Sequence, residues 1–190
     1  MAERQTAASY DGIRADHVGR YRFAARTVAG EVLDAACGCG YGTFMLAEAG
    51  GRVRGVDRDA SAIAYAETHW AHVRAQYVQA DVLHCAGWYD WIVCFETLEH
   101  VEQDGELLQR FARFSHRLLL SVPNQERLPF NRGQFPFHVR HYTPAELDAL
   151  LRGAGWVIGR LWSQPSRTAP DILPGAGGYT LIAECLRAGP

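Results

Sequence analysis

Apolar and polar positions follow two rhythms along this chain. Short apolar runs that read as strands recur at Glu31–Ala36 (EVLDAA), Arg52–Asp57 (RVRGVD), Gln76–Gln79, Trp91–Phe95 (WIVCF) and Arg117–Val122 (RLLLSV). WIVCF is apolar throughout, as a central parallel strand covered on both faces requires. Segments of helical periodicity lie between the runs. Thr43–Ala49 is one, stopped by Gly50 and Gly51. A second is capped by Asp59 and carries Ile63, Ala66, Trp70 and Val73 on one face. A third spans Leu98–Phe114, and another is expected over about residues 10–28, ahead of the first strand. Thr143-Pro144-Ala145-Glu146 predicts a sharp helix start: Thr143 as N-cap, proline in the first turn and Glu146 completing a capping box. Leu147, Leu150 and Leu151 form that helix's buried stripe, and Gly153 and Gly155 end it. The last strands are Trp156–Trp162 and Tyr179–Cys185. Only a Pro/Gly-rich loop, SQPSRTAPDILPGAGG, separates them, so they should pair antiparallel.

Strand and helix alternate about five times, which predicts an α/β fold: a mostly parallel sheet between helical layers. The 190 residues suit a single domain over 1–190 without repeats or linkers. A net charge of -2 argues against a strong electrostatic grip on nucleic acid or an anionic membrane. No run approaches the roughly 20 apolar residues of a membrane span. The polar start MAERQTAASYDG has no apolar core of a signal peptide. The five cysteines are odd in number, and two lie in strand-like runs. No Cys-x-x-Cys pair occurs. A disulfide framework and a cysteine zinc site are therefore disfavoured, and a reducing cytoplasm is expected.

The chemistry concentrates after the first strand, in LDAACGCGYGT (Leu33–Thr43). Gly38, Gly40 and Gly42 lie between a strand and a helix, where open α/β sheets bind ligands. Thr43 stands where a nicotinamide-binding G-x-G-x-x-G turn needs its last glycine, so that match is imperfect. A tight turn with no ligand is the plain alternative. Asp57 closes the second strand, where a carboxylate accepts from both hydroxyls of a ribose. Asp59 is available for helix capping in its place. Asp81, in QADVL, suits an adenine exocyclic amine, with the Val82 N–H meeting a ring nitrogen. Turn and acids together point to an adenosine-containing ligand.

VLDAACGCGYGT, VRGVD, QADVL and YDWIVCFETLEHV, in this order and spacing, resemble the class I S-adenosylmethionine-dependent methyltransferases. The resemblance runs from about Tyr10 onward and is nearest to ubiquinone-type O-methyltransferases and relatives from glycan-building clusters. It implies a Rossmann-like three-layer sandwich of seven strands, the last one antiparallel. It also implies site roles. Asp34 and the turn from Cys37 through Gly38 to Gly40 would lie under the methionine part of the cofactor. Asp57 would hold the ribose, Asp81 and Val82 the adenine, and Arg58 would lie against its face. Phe95 and Glu96 would border the sulfonium. Ala36 departs from the glycine that many members carry; alanine is small, and cofactor binding should survive. S-adenosylmethionine has no phosphate, which agrees with a turn free of basic residues.

Glu96, Glu99 and His100 are expected to share one face of the helix that follows the fourth strand. Three readings stay open there. His100 can act as general base on an acceptor hydroxyl, with Glu96 and Glu99 beside it. The three can hold a divalent ion, as a similar Glu-x-x-Glu-His cluster does in the ubiquinone-type enzymes. Or the acids simply complement the helix dipole. No metal is expected. In the N-terminal helix, His17, Arg20 and Tyr21 either reach the cofactor carboxylate and cover the substrate or belong to a solvated face. Residues 124–142 (NQERLPFNRGQFPFHVRHY) read as a substrate lid or as a packed connector. The reaction expected is methylation of a small molecule, on an oxygen of a sugar-like acceptor, with no nucleic-acid or membrane partner. The alternatives are small-molecule N-methylation, a non-catalytic cofactor-binding protein and a nicotinamide-dependent oxidoreductase. The oligomeric state and the acceptor are not legible.

Overall fold

The computed structural model describes residues 5–189. Strand β1 (Glu31–Ala35) pairs in parallel with β2 (Arg52–Asp57) on one side and with β4 (Trp91–Phe95) on the other. Beyond them lie β3 (Ala75–Gln79) and β5 (Arg117–Pro123), also parallel. β6 (Trp156–Gln164) and β8 (Thr180–Arg187) pair antiparallel, as their short connection requires. β8 inserts between β5 and β6, and the strand order is β3-β2-β1-β4-β5-β8-β6-β7. The described residues form eight strands where seven were expected. The addition is the two-residue β7 (Leu173–Pro174), formed inside the Pro/Gly-rich loop and paired with Trp162 and Ser163. Proline lacks an N–H for a ladder, so it is tolerated at such an edge.

Among the described residues five α-helices flank the sheet: α1 (Ala15–Thr27), α2 (Tyr41–Glu48), α3 (Ala60–His69), α4 (Asp104–Phe111) and α5 (Pro144–Gly153). On one face, Leu107, Phe111 and Leu147 pack with Leu118 and Leu120 of β5. On the other, Ala24 and Leu46 pack with Val32, Val93 and Leu119. Local signals set several ends. Asp59 caps α3 by accepting from the Ser61 N–H at 2.8 Å. The α5 capping box is complete: Thr143 Oγ1 accepts from the Glu146 N–H at 3.1 Å, and the Thr143 N–H donates to Glu146 at 2.9 Å.

Three expected helices differ. The N-terminal one is a 3-10 turn (Tyr10–Gly12) followed by α1. α3 ends at His69, so Val73 falls beyond its stripe and is 98% exposed, while Ile63, Ala66 and Trp70 are buried. The segment Leu98–Phe114 is broken into a 3-10 turn (Leu98–His100) and α4. Tertiary contacts compete with the helical ladder there. The Leu98 carbonyl accepts from the Tyr142 hydroxyl at 3.2 Å, and the Glu99 carbonyl from the Val139 N–H at 2.7 Å.

Candidate active site

The strand order reverses between β1 and β4, and a ligand crevice is expected outside the carboxyl ends of the strands at that point. The glycine-rich turn sits there, between β1 and α2. It is held by two donors: the Cys37 N–H bonds to the Val56 carbonyl and the Gly38 N–H to Asp57 Oδ2, both at 2.9 Å. Ala36, Gly38 and Gly40 adopt φ of 59°, 56° and 89°. The left-handed region costs a non-glycine residue roughly 1–2 kcal/mol, a strain that Ala36 carries and that a glycine would not. A Cβ on Gly40 would lie 2.4 Å from the Ala66 Cβ, and one on Gly42 would lie 2.1 Å from the Tyr21 ring. Packing within the chain therefore dictates these two glycines.

The acids stand in order along the strand ends. Asp34 is fully buried and accepts from the Tyr21 hydroxyl at 2.9 Å and from Thr43 Oγ1 at 2.6 Å. Burial raises its carboxyl to about 6 against the pull of those two bonds. It anchors α1 and α2 to β1 beneath the turn. Asp57 accepts at its other oxygen from the Asp59 N–H, at 2.9 Å. It thus ties the turn to the start of α3. Asp81 accepts from the Leu83 N–H at 2.8 Å and caps the turn Val82–His84. Asp81 and Val82 are half-buried, and Arg58 is exposed.

The inner face of α1 is polar and buried. Arg20 is 1% exposed; its Nη1 donates to Gln164 Oε1 and lies 3.8 Å from Asp16. Its Nη2 is buried without a hydrogen-bond partner among the described residues. His17 Nδ1 meets the Tyr41 hydroxyl at 2.9 Å, and burial, with Arg20 and Arg14 adding, pushes the imidazole down to about 2. Tyr21 packs edge-on against Phe95, ring centroids 5.2 Å apart. Sequence reasoning missed Tyr41, Thr43 and Gln164 as members of this cluster. Thr43 and Tyr41 adjoin the glycines and were findable; Gln164 arrives from β6 with no local signal.

Glu96, Glu99 and His100 do not share a helical face. Glu96 turns the chain with φ 45°, held by Ser121, whose hydroxyl donates to Glu96 Oε1 at 2.8 Å. Glu99 is buried and His100 exposed. The segment 124–142 closes on itself, with the Gln125 N–H bonded to the Tyr142 carbonyl at 2.9 Å. Its own Phe135, His138 and His141 are buried, while its Phe137 is 52% exposed. His138 packs edge-on against the His100 ring, centroids 4.6 Å apart. Burial pushes His138 down to about 4, with His100 and His141 adding. His138, absent from the sequence-based list, thereby joins Glu99 and His100.

An open groove lined by Glu31, Arg52, Arg54, Arg74 and Trp88 lies at the opposite, amino ends of β1 to β3, away from all these groups. Among the described residues no helix is long and apolar enough to cross a membrane.

Residues 32–118 match the family profile of a methyltransferase domain. A Mycolicibacterium smegmatis protein named "Probable S-adenosylmethionine-dependent methyltransferase" is 33% identical over 152 residues, covering 72% of this chain and 56% of the relative. The chain thus spans about half the length of that relative. The ubiquinone biosynthesis O-methyltransferase of Cronobacter sakazakii is 36% identical over 89 residues, 44% of this chain and 37% of that one. Among solved structures, the 1,6-didemethyltoxoflavin-N1-methyltransferase of Burkholderia thailandensis, with 1,6-didemethyltoxoflavin and S-adenosylhomocysteine bound, superposes with a TM-score of 0.69 at 25% identity. The match covers 92% of this chain and 79% of that one. Fold, glycine turn and relatives agree, and the chain belongs to the class I S-adenosylmethionine-dependent methyltransferases.

Proposed function

We propose that this chain transfers the methyl group of S-adenosylmethionine to an oxygen of a small, polar, sugar-like acceptor. The observation that carries the reading is the row of acids, Asp34, Asp57 and Asp81, at or beside the carboxyl ends of β1, β2 and β3 around the glycine turn. Asp57 takes the ribose, Asp81 and Val82 the adenine, and Arg58 covers its face. The turn from Ala36 to Gly40 lies under the methionine. The cofactor's carboxylate fits Arg20, whose buried Nη2 calls for an anionic partner. The cofactor supplies a methyl group on a good leaving group, and the chain's task is mainly to hold acceptor and sulfonium in line.

Phe95 and Glu96 border the reacting centre, and residues 124–142 cover the acceptor as a lid. His100 Nδ1 faces the Phe137 carbonyl at 3.0 Å, so in the neutral ring Nδ1 carries the proton and Nε2 is the basic atom, the one to which an acceptor hydroxyl would give its proton. The sequence relative that methylates oxygen in ubiquinone biosynthesis supports the choice of oxygen. The Burkholderia N1-methyltransferase favours a second reading, methylation of a nitrogen on a small molecule. Neither reading uses a nucleic acid or a membrane. All five cysteines are free and buried, which supports a reducing, cytoplasmic setting.

Calorimetric titration with S-adenosylmethionine and S-adenosylhomocysteine tests the reading. Both bind to the intact chain. Asp57→Ala loses at least about tenfold in affinity, whereas His100→Ala keeps it and slows turnover by about 10²-fold or more. Failure of both sulfur nucleosides to bind removes the basis of the proposal, and equal loss in both variants removes the division of roles. A screen of sugars, hydroxy acids and amines for S-adenosylhomocysteine release then separates oxygen from nitrogen acceptors.

A further inference from the structure

The amino ends of β2 and β3 are covered on one face only. α2 and α3 lie over that face, where Leu46 and Trp70 pack with Val53 and Tyr77. On the other face the connection from β3 to β4 is a 3-10 turn (Val82–His84) and a loop, without an α-helix to lay over the strands. A parallel sheet is ordinarily covered on both faces and apolar on both. Here side-chain alternation puts Glu31 of β1, Arg52 and Arg54 of β2 and Gln76 of β3 on the bare face, while Val56 and Val78 further along the same face pack with the core. Glu31 pairs with Arg52 and Arg54 with Gln76, and the Arg74 carbonyl accepts from the Val53 N–H, so Arg74 flanks Arg52. Neighbouring strands lie about 4.8 Å apart and alternate residues about 6.6 Å, so the three arginines stem from Cα positions about 5–8 Å apart. Glu31 meets Arg52 at 3.2 Å. Among the described residues no carboxylate forms an ion pair with Arg54 or Arg74. The chain's net charge is -2, so this positive cluster is a local feature and not one of composition.

We propose that this groove binds a phosphate-bearing small molecule with a flat ring, of the nucleoside diphosphate class, at the end of the sheet remote from the cofactor turn. Guanidinium forks match phosphate oxygens two at a time, and arginines converging from adjacent strands suit a diphosphate. Trp88 and Tyr89 of the β3–β4 loop wall the groove, whose volume is about 440 Å3, a size that holds one nucleotide. The Trp88 indole is held by the His116 ring, centroids 4.9 Å apart, and by the Arg187 guanidinium, 5.9 Å from its centroid. It is still 53% exposed and offers apolar area to a ring. The chain's negative net charge and the Glu31 carboxylate on the rim favour a single small anion over a polynucleotide, which binds through many phosphates at once.

The test is calorimetric titration of uridine diphosphate, inorganic pyrophosphate and uridine into the chain saturated with S-adenosylhomocysteine, which closes the cofactor site to nucleosides. One uridine diphosphate per chain is expected, with pyrophosphate weaker and uridine silent. Arg54→Gln and Arg74→Gln should each weaken uridine diphosphate by about tenfold. Trp88→Ala should bring uridine diphosphate down to the affinity of pyrophosphate and leave pyrophosphate unchanged. Arg160→Gln, on β6, should change nothing. All four side chains are exposed, so the variants report on the groove and not on folding. No saturable binding of uridine diphosphate, wild-type affinity in both groove-arginine variants, or uridine bound as tightly as its diphosphate overturns the site. Pyrophosphate bound as tightly as uridine diphosphate overturns the ring contact and with it the nucleotide class. A uridine oligonucleotide held far more tightly than uridine diphosphate overturns the small-molecule reading in favour of RNA. S-adenosylhomocysteine binding, read first in the same samples, reports separately on the cofactor site.

Discussion

Gly42→Ala tests how the cofactor turn is supported. The new Cβ would lie 2.1 Å from Tyr21 Cζ and 2.2 Å from Cε1. Ordinary contact begins near 3.4 Å, so the ring must retreat by about 1.3 Å (3.4 − 2.1). It is not at liberty to do so. Its hydroxyl is bonded to Asp34 at 2.9 Å, and its ring packs between Tyr41 and Phe95, with centroids 5.5 and 5.2 Å away. Overpacking costs about 1–3 kcal/mol, and losing a hydrogen bond to a buried charged group about 1.5–3 kcal/mol. Alanine in place of glycine within a helix returns roughly 0.5–1 kcal/mol. The net loss should be about 2–5 kcal/mol, read as a lowered urea midpoint at constant slope. In a Tyr21→Ala background the obstacle is gone, and only the helix term remains. There Gly42→Ala should be neutral or stabilising by up to about 1 kcal/mol. An equal cost in the two backgrounds would falsify the claim that the Tyr21 ring dictates this glycine.

Asp34 should tilt the dependence of stability on pH. Its folded value of about 6 lies above the ordinary 3.8, so between those values the folded chain keeps a proton that the unfolded chain has released. Stability then falls as pH rises through that window, by at most about 3 kcal/mol, and Asp34→Asn should remove that part of the slope in urea unfolding at several pH values. Thr143→Ala deletes the side-chain half of the α5 capping box, the Oγ1 that accepts from the Glu146 N–H, and should lower stability by about 1 kcal/mol while leaving S-adenosylmethionine affinity unchanged; a loss of affinity would show that α5 acts on the site.

The sequence announced elements whose signals are local. WIVCF became the buried β4, and Thr143 to Glu146 became the capping box, because apolar runs and caps act within a few residues. Asp57 closes β2 and Asp81 follows β3 as the pattern indicated, again because strand ends and turn caps are local signals. The helix expected from Leu98 did not form, because Tyr142 and Val139, some forty residues away, claim the carbonyls its ladder would have used. Glu96 likewise leaves helical space under the hold of Ser121 on the next strand. His138 was invisible as a partner of His100 for the same reason: no periodicity relates a loop histidine to a turn 38 residues earlier. Arg20 was singled out from its residue type, but its burial depends on Gln164 of β6.

The placement of β8 bears on how the molecule is made. β1 to β5 emerge from the ribosome in an order that lets each join a neighbour already present. β6 cannot: its position in the sheet is reached only through β8, a strand made after it. Until Thr180–Arg187 has left the exit tunnel, β5 keeps one edge open, and the α5–β6 unit has no docking partner in the sheet. Closure of this part of the sheet therefore waits for β8, and the nascent chain carries an uncovered strand edge until then, a state exposed to mispairing and to chaperone capture.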